Sequence, residues 1–187
     1  MIRFKHFIPA LIALPFMFVS YIYDETILLF IRNLYHPASD RIFHWFVEVE
    51  SVFFFLIVVS ILFLIELKKT EWILPLLTTG AIATCASYIL KLLFMRRRPF
   101  DSLGFLGISD SSFPSTHSTL GFACAVLLWW EFPRIGWFYF VFAGTIGIVR
   151  VYVLQHYLSD VLAGAILGYL VGLGMVFLTQ KYLKTKA

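Results

Sequence analysis

Charge is scarce in this chain. Only 14% of its 187 residues are Asp, Glu, Lys or Arg, where a soluble domain carries about a quarter. Hydrophobic residues make up 60% and fall in long blocks. That balance excludes an ordinary soluble domain and predicts a polytopic membrane protein. Cysteine is nearly absent as well. Cys85 and Cys124 both lie inside apolar blocks, so neither a disulfide framework nor a thiolate metal site follows from them. They read as small hydrophobes at helix contacts. Acidic clusters are also lacking, since Asp101 and Asp110 stand alone in their loop, and no site suited to Mg²⁺ is legible. Internal repeats and low-complexity tracts are missing too. Little sequence lies outside the apolar blocks, which leaves one membrane domain, residues 1–187. The net charge of +4 fits basic residues at cytoplasmic helix ends better than a nucleic-acid partner.

A membrane-crossing helix takes roughly 20 mostly apolar residues. Six stretches qualify: Phe7 to Tyr23, His44 to Ile65, Trp72 to Met95, Ser115 to Trp130, Gly136 to Tyr152 and Leu158 to Tyr182. The expected fold is therefore an all-α bundle of six spans. Arg3 and Lys5 ahead of an apolar run resemble a signal peptide, but no small-x-small cleavage site follows, so an uncleaved first span is expected. Between the first two spans, Ile27, Leu28, Ile31, Leu34 and Tyr35 recur at helical spacing. A short amphipathic helix along the interface is expected there, within Asp24 to Phe43. The tryptophans Trp45, Trp72, Trp129, Trp130 and Trp137 read as lipid-facing or belt residues. Glycines at 164, 168, 172 and 174 pattern the last span with small residues, and the 164/168 and 168/172 spacings suit close helix packing within the bundle.

With the N-terminus in the cytoplasm, Arg3, Lys5, Lys68, Lys69, Arg134, Lys181, Lys184 and Lys186 fall inside. Arg32, Arg41, Arg96, Arg97, Arg98 and Arg150 fall outside. Arginine-rich loops resist export, so the 96–98 run requires a reason.

Three polar clusters interrupt the apolar chain at helix ends on that outer side. The first is Lys91-x6-Arg98-Pro99. Seven residues make two helical turns, so the spacing puts both cations on one face, suited to a phosphate. Arg96 and Arg97 then point elsewhere, toward lipid headgroups or an outer phosphate of the substrate. The second is Pro114-Ser115-Thr116-His117, a capped helix start whose free N–H groups attract anions and whose histidine can protonate a leaving group. The third is Arg150-x5-His156-x3-Asp160. There the carboxylate, one turn on, can hold the imidazole's far nitrogen. Glu48 and Glu50 read as solvated interfacial carboxylates.

These three clusters, in this order, resemble the signature of the type 2 phosphatidic acid phosphatases: Lys-x6-Arg-Pro, Pro-Ser-x-His and Ser-Arg-x5-His-x3-Asp. The motifs span residues 91–160, and the six-span plan extends the likeness over nearly the whole chain. Two positions depart: Thr116 stands where glycine is frequent, and Val149 where serine precedes the arginine. The resemblance implies that His156 attacks phosphorus to form a phosphohistidine, that Asp160 orients it, and that His117 protonates the leaving oxygen. It implies that Lys91, Arg98 and Arg150, with Ser115 and Thr116, bind the phosphate. No metal and no other cofactor is expected.

The implied substrate is a lipid phosphate, an isoprenyl diphosphate such as undecaprenyl diphosphate, phosphatidylglycerol phosphate, phosphatidic acid or a lipid A phosphate. The implied location is the inner membrane, with both termini cytoplasmic and the site on the outer face. A transporter or channel with the same cations as an anion site is the rival. That rival has no need of His156 paired with Asp160 and opposed by His117. The oligomeric state is not legible.

Overall fold

The computed structural model describes residues 3–34, 50–99 and 111–186. Among them are six α-helices: α1 (Ile8–Asn33), α2 (Glu50–Glu66), α3 (Ile73–Phe94), α4 (Thr116–Glu131), α5 (Pro133–Tyr152) and α6 (Leu158–Lys186). Short 3-10 turns, Phe4–Phe7 and Thr70–Trp72, lead into α1 and α3. Four stretches are long and apolar enough to cross a membrane: Phe4–Asn33, Thr70–Phe94, Pro133–Tyr152 and Leu158–Lys184. The protein is an integral membrane protein.

Helices α2 and α4, with 17 and 16 residues, are shorter. Local chemistry sets the length of α4. Ser115 caps its start, accepting from the Ser118 N–H at 3.5 Å, and Pro133 opens the next helix two residues past its end.

Two expectations need correction. The separate interfacial helix does not begin at Asp24, because residues 24–33 continue α1 without a break. Asp24 and Leu28, one turn apart, are both buried against the bundle, which keeps the helix straight on. The rest of that expected segment, residues 35–43, lies outside the described residues, as do Trp45, Glu48, Asp101 and Asp110. Second, Trp72 is not lipid-facing. It is 5% exposed and packs with Leu64, Leu76, Val126, Leu127, Leu128, Leu173, Met175 and Val176 in the main apolar core.

Helix α6 packs tightly along α4. A Cβ at Gly164 would lie 2.5 Å from the Ser115 carbonyl oxygen, and one at Gly168 would lie 2.1 Å from that of Thr119. The small-residue stripe thus brings two backbones together inside one bundle. The consequence for the site is direct: the Ser115 N–H bonds the Asp160 carbonyl at 3.0 Å, locking the start of α4 to the start of α6.

Candidate active site

Every motif residue lies at one end of the bundle. His156 occupies the turn between α5 and α6. Helix α5 ends at Tyr152, Leu154 takes a left-handed conformation (φ 59°), and the N–H groups of Gln155 and His156 both return to the Arg150 carbonyl, at 3.1 and 3.2 Å. A leucine in that conformation costs about 1–2 kcal/mol, so the turn is held by its surroundings. It sets His156, 3% exposed, beside Arg150.

Asp160 is fully buried in the first turn of α6. Helix α6 starts at Leu158, so His156 and Asp160 are not one turn apart on a helix, as their spacing suggested. They still meet: His156 Nδ1 is 3.7 Å from Asp160 Oδ2. That is an ion-pair separation, longer than a hydrogen bond. Asp160 Oδ2 accepts the Tyr157 N–H at 2.9 Å, as the acid of a capping box does. The cap and the approach to His156 belong to the same carboxylate. With Nδ1 turned to Asp160, Nε2 is the nitrogen left for attack. Burial pushes the His156 imidazole below the ordinary histidine range, against the opposing pull of Asp160.

Opposite stands His117, in the first turn of α4, with Nε2 2.6 Å from Arg150 Nη2. Arg150, 8% exposed, also donates to Gln155 Oε1. Lys91 is 4% exposed and donates its ammonium to the Ser111 carbonyl. The shared helix face expected for Lys91 and Arg98 is not found. Helix α3 stops at Phe94, Met95 turns left-handed (φ 42°), and Arg98 lies in the segment beyond. The chain, not the helix, brings Arg98 round. Lys91 and Arg98 both remain within electrostatic reach of His117 and His156.

Ser115 is fully buried at its capping position. The Thr116 hydroxyl pairs with Ser87 at 2.9 Å. Any contribution of Thr116 to an anion therefore falls to its backbone N–H, which suits a position where glycine also serves.

The sequence reading missed one pair of residues. Arg96 does not face lipid headgroups. Its Nη1 reaches Asp160 Oδ1 at 2.8 Å, and its Nη2 reaches Asp24 Oδ2 at 2.8 Å. Asp24, directly after the first apolar block and followed by the apolar Ile27-Leu28-Leu29-Phe30-Ile31, was the available signal, because a carboxylate there is costly without a partner.

Beside this end a groove of about 280 Å³ is lined by Met17, Phe18, Tyr21, Phe94, Arg96, Phe113 and Ser159. It is apolar except where Arg96 and Ser159 close it, next to Asp160.

A buried histidine beside a buried carboxylate, a second histidine opposed to it and three cations inside a helical membrane bundle are the groups a membrane phosphatase needs. Comparison with known proteins gives the family: the chain matches the PAP2 superfamily over residues 72–184 and belongs to it. It is a lipid phosphatase of that superfamily. It is 27% identical to the undecaprenyl-diphosphatase BcrC of Bacillus subtilis (strain 168) over 148 residues, which covers 76% of this chain and 77% of that one. A shorter stretch of 72 residues, 38% of this chain and 36% of the other, is 43% identical to the bacitracin transport permease protein BcrC of Bacillus licheniformis. Among solved structures, the fold resembles the transmembrane PAP2-type phosphatidylglycerolphosphate phosphatase of Bacillus subtilis. The TM-score is 0.65 at 23% identity, covering 97% of this chain and 95% of that one.

Proposed function

We propose that the enzyme hydrolyses an isoprenyl diphosphate such as undecaprenyl diphosphate, or a phospholipid phosphate such as phosphatidylglycerol phosphate or phosphatidic acid, through a phosphohistidine at His156. The convergence of His156, Asp160, His117, Lys91, Arg98 and Arg150 at one bundle end carries this reading. His156 Nε2 attacks phosphorus, the bond from phosphorus to the leaving oxygen breaks, and His117 supplies that oxygen's proton. Water then attacks the phosphohistidine, His117 takes up its proton, and phosphate leaves. Lys91, Arg98 and Arg150 neutralise the phosphoryl oxygens, with hydrogen bonds from Ser115 and the Thr116 N–H. Arg150 now lies on His117, and a phosphoryl group would draw its guanidinium off that nitrogen. The role given to the three cations makes the reaction metal-independent. Activity abolished by a chelator and restored by Mg²⁺ would overturn that part.

A lipid substrate fits the groove beside Arg96, which offers an apolar channel ending at the reacting end. The substrate preference follows the undecaprenyl-diphosphatase relative, which this chain matches over most of both lengths.

The test is a hydrolysis panel of these lipids with wild type and His156→Ala, alongside trapping of the labelled phosphoenzyme in an alkaline detergent quench. The variant loses activity at least about 1000-fold, and wild type gives an acid-labile, base-stable phosphoenzyme. Unchanged hydrolysis by the variant refutes the nucleophile. No hydrolysis of any lipid phosphate by wild type turns the reading to an anion transporter.

A further inference from the structure

Arg96 is held between two carboxylates from distant parts of the chain, and no step of the proposed reaction uses it or Asp24. Asp24 is 3% exposed in α1. Its Oδ2 accepts from Arg96 Nη2 at 2.8 Å and from the Ser159 hydroxyl, and its Oδ1 accepts the Ser159 N–H at 3.1 Å. Arg96 Nη1 donates to Asp160 Oδ1 at 2.8 Å and to Ser159 Oγ at 2.7 Å. The guanidinium lies over the Tyr157 ring at 4.0 Å and the Tyr21 ring at 5.0 Å. The Arg96 carbonyl accepts the Ser112 N–H at 2.7 Å, which ties the same segment to the approach to Ser115.

We propose that Asp24 and Arg96 are positioning residues for the phosphatase reaction, a relay that aims Asp160 at His156 and sets the net charge behind it. The proposal rests on His156 being the nucleophile. Arg96 fixes Asp160 through Oδ1 and leaves Oδ2 toward the imidazole. Only a planar fork spans two carboxylates in this way, and an ammonium does not. Attack places positive charge on the imidazole ring, which Asp160 stabilises. Arg96 alone would cancel that carboxylate. Asp24 restores one negative charge to the trio, so the nucleophile keeps its counter-ion.

Three isosteric or near-isosteric variants test this: Asp24→Asn, Arg96→Lys and Arg96→Gln, each compared with wild type in kcat and KM after purification as a folded, monodisperse protein. Asp24→Asn drops the charge and keeps one acceptor oxygen, enough for Arg96 and the Ser159 hydroxyl, while the bond from the Ser159 N–H is lost. Its kcat falls about 10–100-fold with KM within a factor of two, an effect of the size seen when a ligand's outer partner is removed. Arg96→Lys shows a similar kcat loss. The double variant Asp24→Asn/Arg96→Gln removes one charge of each sign and is no slower than Asp24→Asn alone, a non-additive cycle.

The acid limb of kcat/KM moves to lower pH in Asp24→Asn. The groups facing His156 that contribute to its titration, Asp160, Lys91, Arg98 and His117, are unchanged between the two proteins. Wild-type kcat in both Asp24→Asn and Arg96→Lys, with His156→Ala inactive, overturns the relay and leaves the nucleophile standing. Additive losses in the double variant overturn the charge argument. An active His156→Ala removes the foundation of both. Should Asp24→Asn not fold, Arg96→Lys carries the kcat and KM comparison by itself.

Discussion

At the scale of single residues, the site separates two histidines by what surrounds them. His156 is buried against one carboxylate, while His117 faces a guanidinium. A nucleophile has to be neutral to attack. Burial lowers the His156 pKa from the ordinary value of 6.5, so the neutral imidazole persists to lower pH than a free histidine would allow. Activity is retained down to that depressed pKa and is lost as pH falls through it. The acid limb of kcat/KM should therefore lie below pH 6.5. Asp160 opposes the depression, so Asp160→Asn should move the limb further down while lowering kcat roughly 10²–10⁴-fold. An upward move of the limb in that variant would contradict the assigned contact. His117 makes a different prediction. His117→Asn should slow hydrolysis of an alkyl phosphate about 10²–10⁴-fold, and slow a nitrophenyl phosphate far less, because that leaving group departs without a proton. Equal losses on both substrates would remove His117 as the acid.

At the scale of elements, helix ends decide what a motif means. The spacings from Lys91 to Arg98 and from His156 to Asp160 were legible as chemistry, and both pairs do converge on the site. The reason first given for each, a shared helix face, fails in both cases. Helix α3 ends three residues after Lys91, and α6 begins two residues after His156. Periodicity has no means of showing a left-handed Met95 or Leu154, because the tertiary setting holds non-glycine residues there. The all-helical membrane class was legible, and four of the expected spans coincide with helices long and apolar enough to cross a membrane. Asp24 and Arg96 were not legible as partners, because their pairing joins residues 72 positions apart.

Gly164, Gly168 and Gly172 of α6 sit in close packing as their spacing predicted, Gly174 does not, and the contrast supplies a further prediction. Gly168→Ala pushes a methyl to 2.1 Å from the Thr119 carbonyl oxygen, whereas nothing lies within 4 Å of a Cβ at Gly174. Overpacking costs about 1–3 kcal/mol, a drop of roughly 2–10 °C in melting temperature for a chain of this size. Gly174→Ala should be neutral or stabilising by up to about 1 kcal/mol through helix propensity. Thermal unfolding of the two variants in detergent checks both. A Gly168→Ala protein as stable as wild type would mean that α4 and α6 are not held backbone to backbone.

At the scale of the whole molecule, polarity is divided between the two ends. Buried Asp24, Lys91, Arg150, His156 and Asp160 gather at one end with the serines 111, 112, 115 and 159. The apolar core around Leu64, Trp72 and Val176 lies away from them, and Lys69 pairs with Glu131 at 2.8 Å where α2 turns into α3 and α4 ends. An exposed pair of that kind contributes about 0–1 kcal/mol, so the second end is built for packing and orientation rather than chemistry. The basic residues Lys68, Lys69, Arg134, Lys181 and Lys184 favour retention of that end in the cytoplasm, and the expectation that follows is a site on the outer face.

The two ends give an experiment on sidedness. Lys184→Cys, made with Cys85→Ser and Cys124→Ala so that it carries the one thiol, reports the end away from the site. In right-side-out vesicles a membrane-impermeant maleimide should label it only after permeabilisation. Lipid phosphate added to the outer leaflet of the same vesicles should be hydrolysed without permeabilisation. Labelling before permeabilisation, or hydrolysis only after it, would invert the orientation. The arginines at 96–98 would then obey the positive-inside tendency instead of opposing it for the sake of the site.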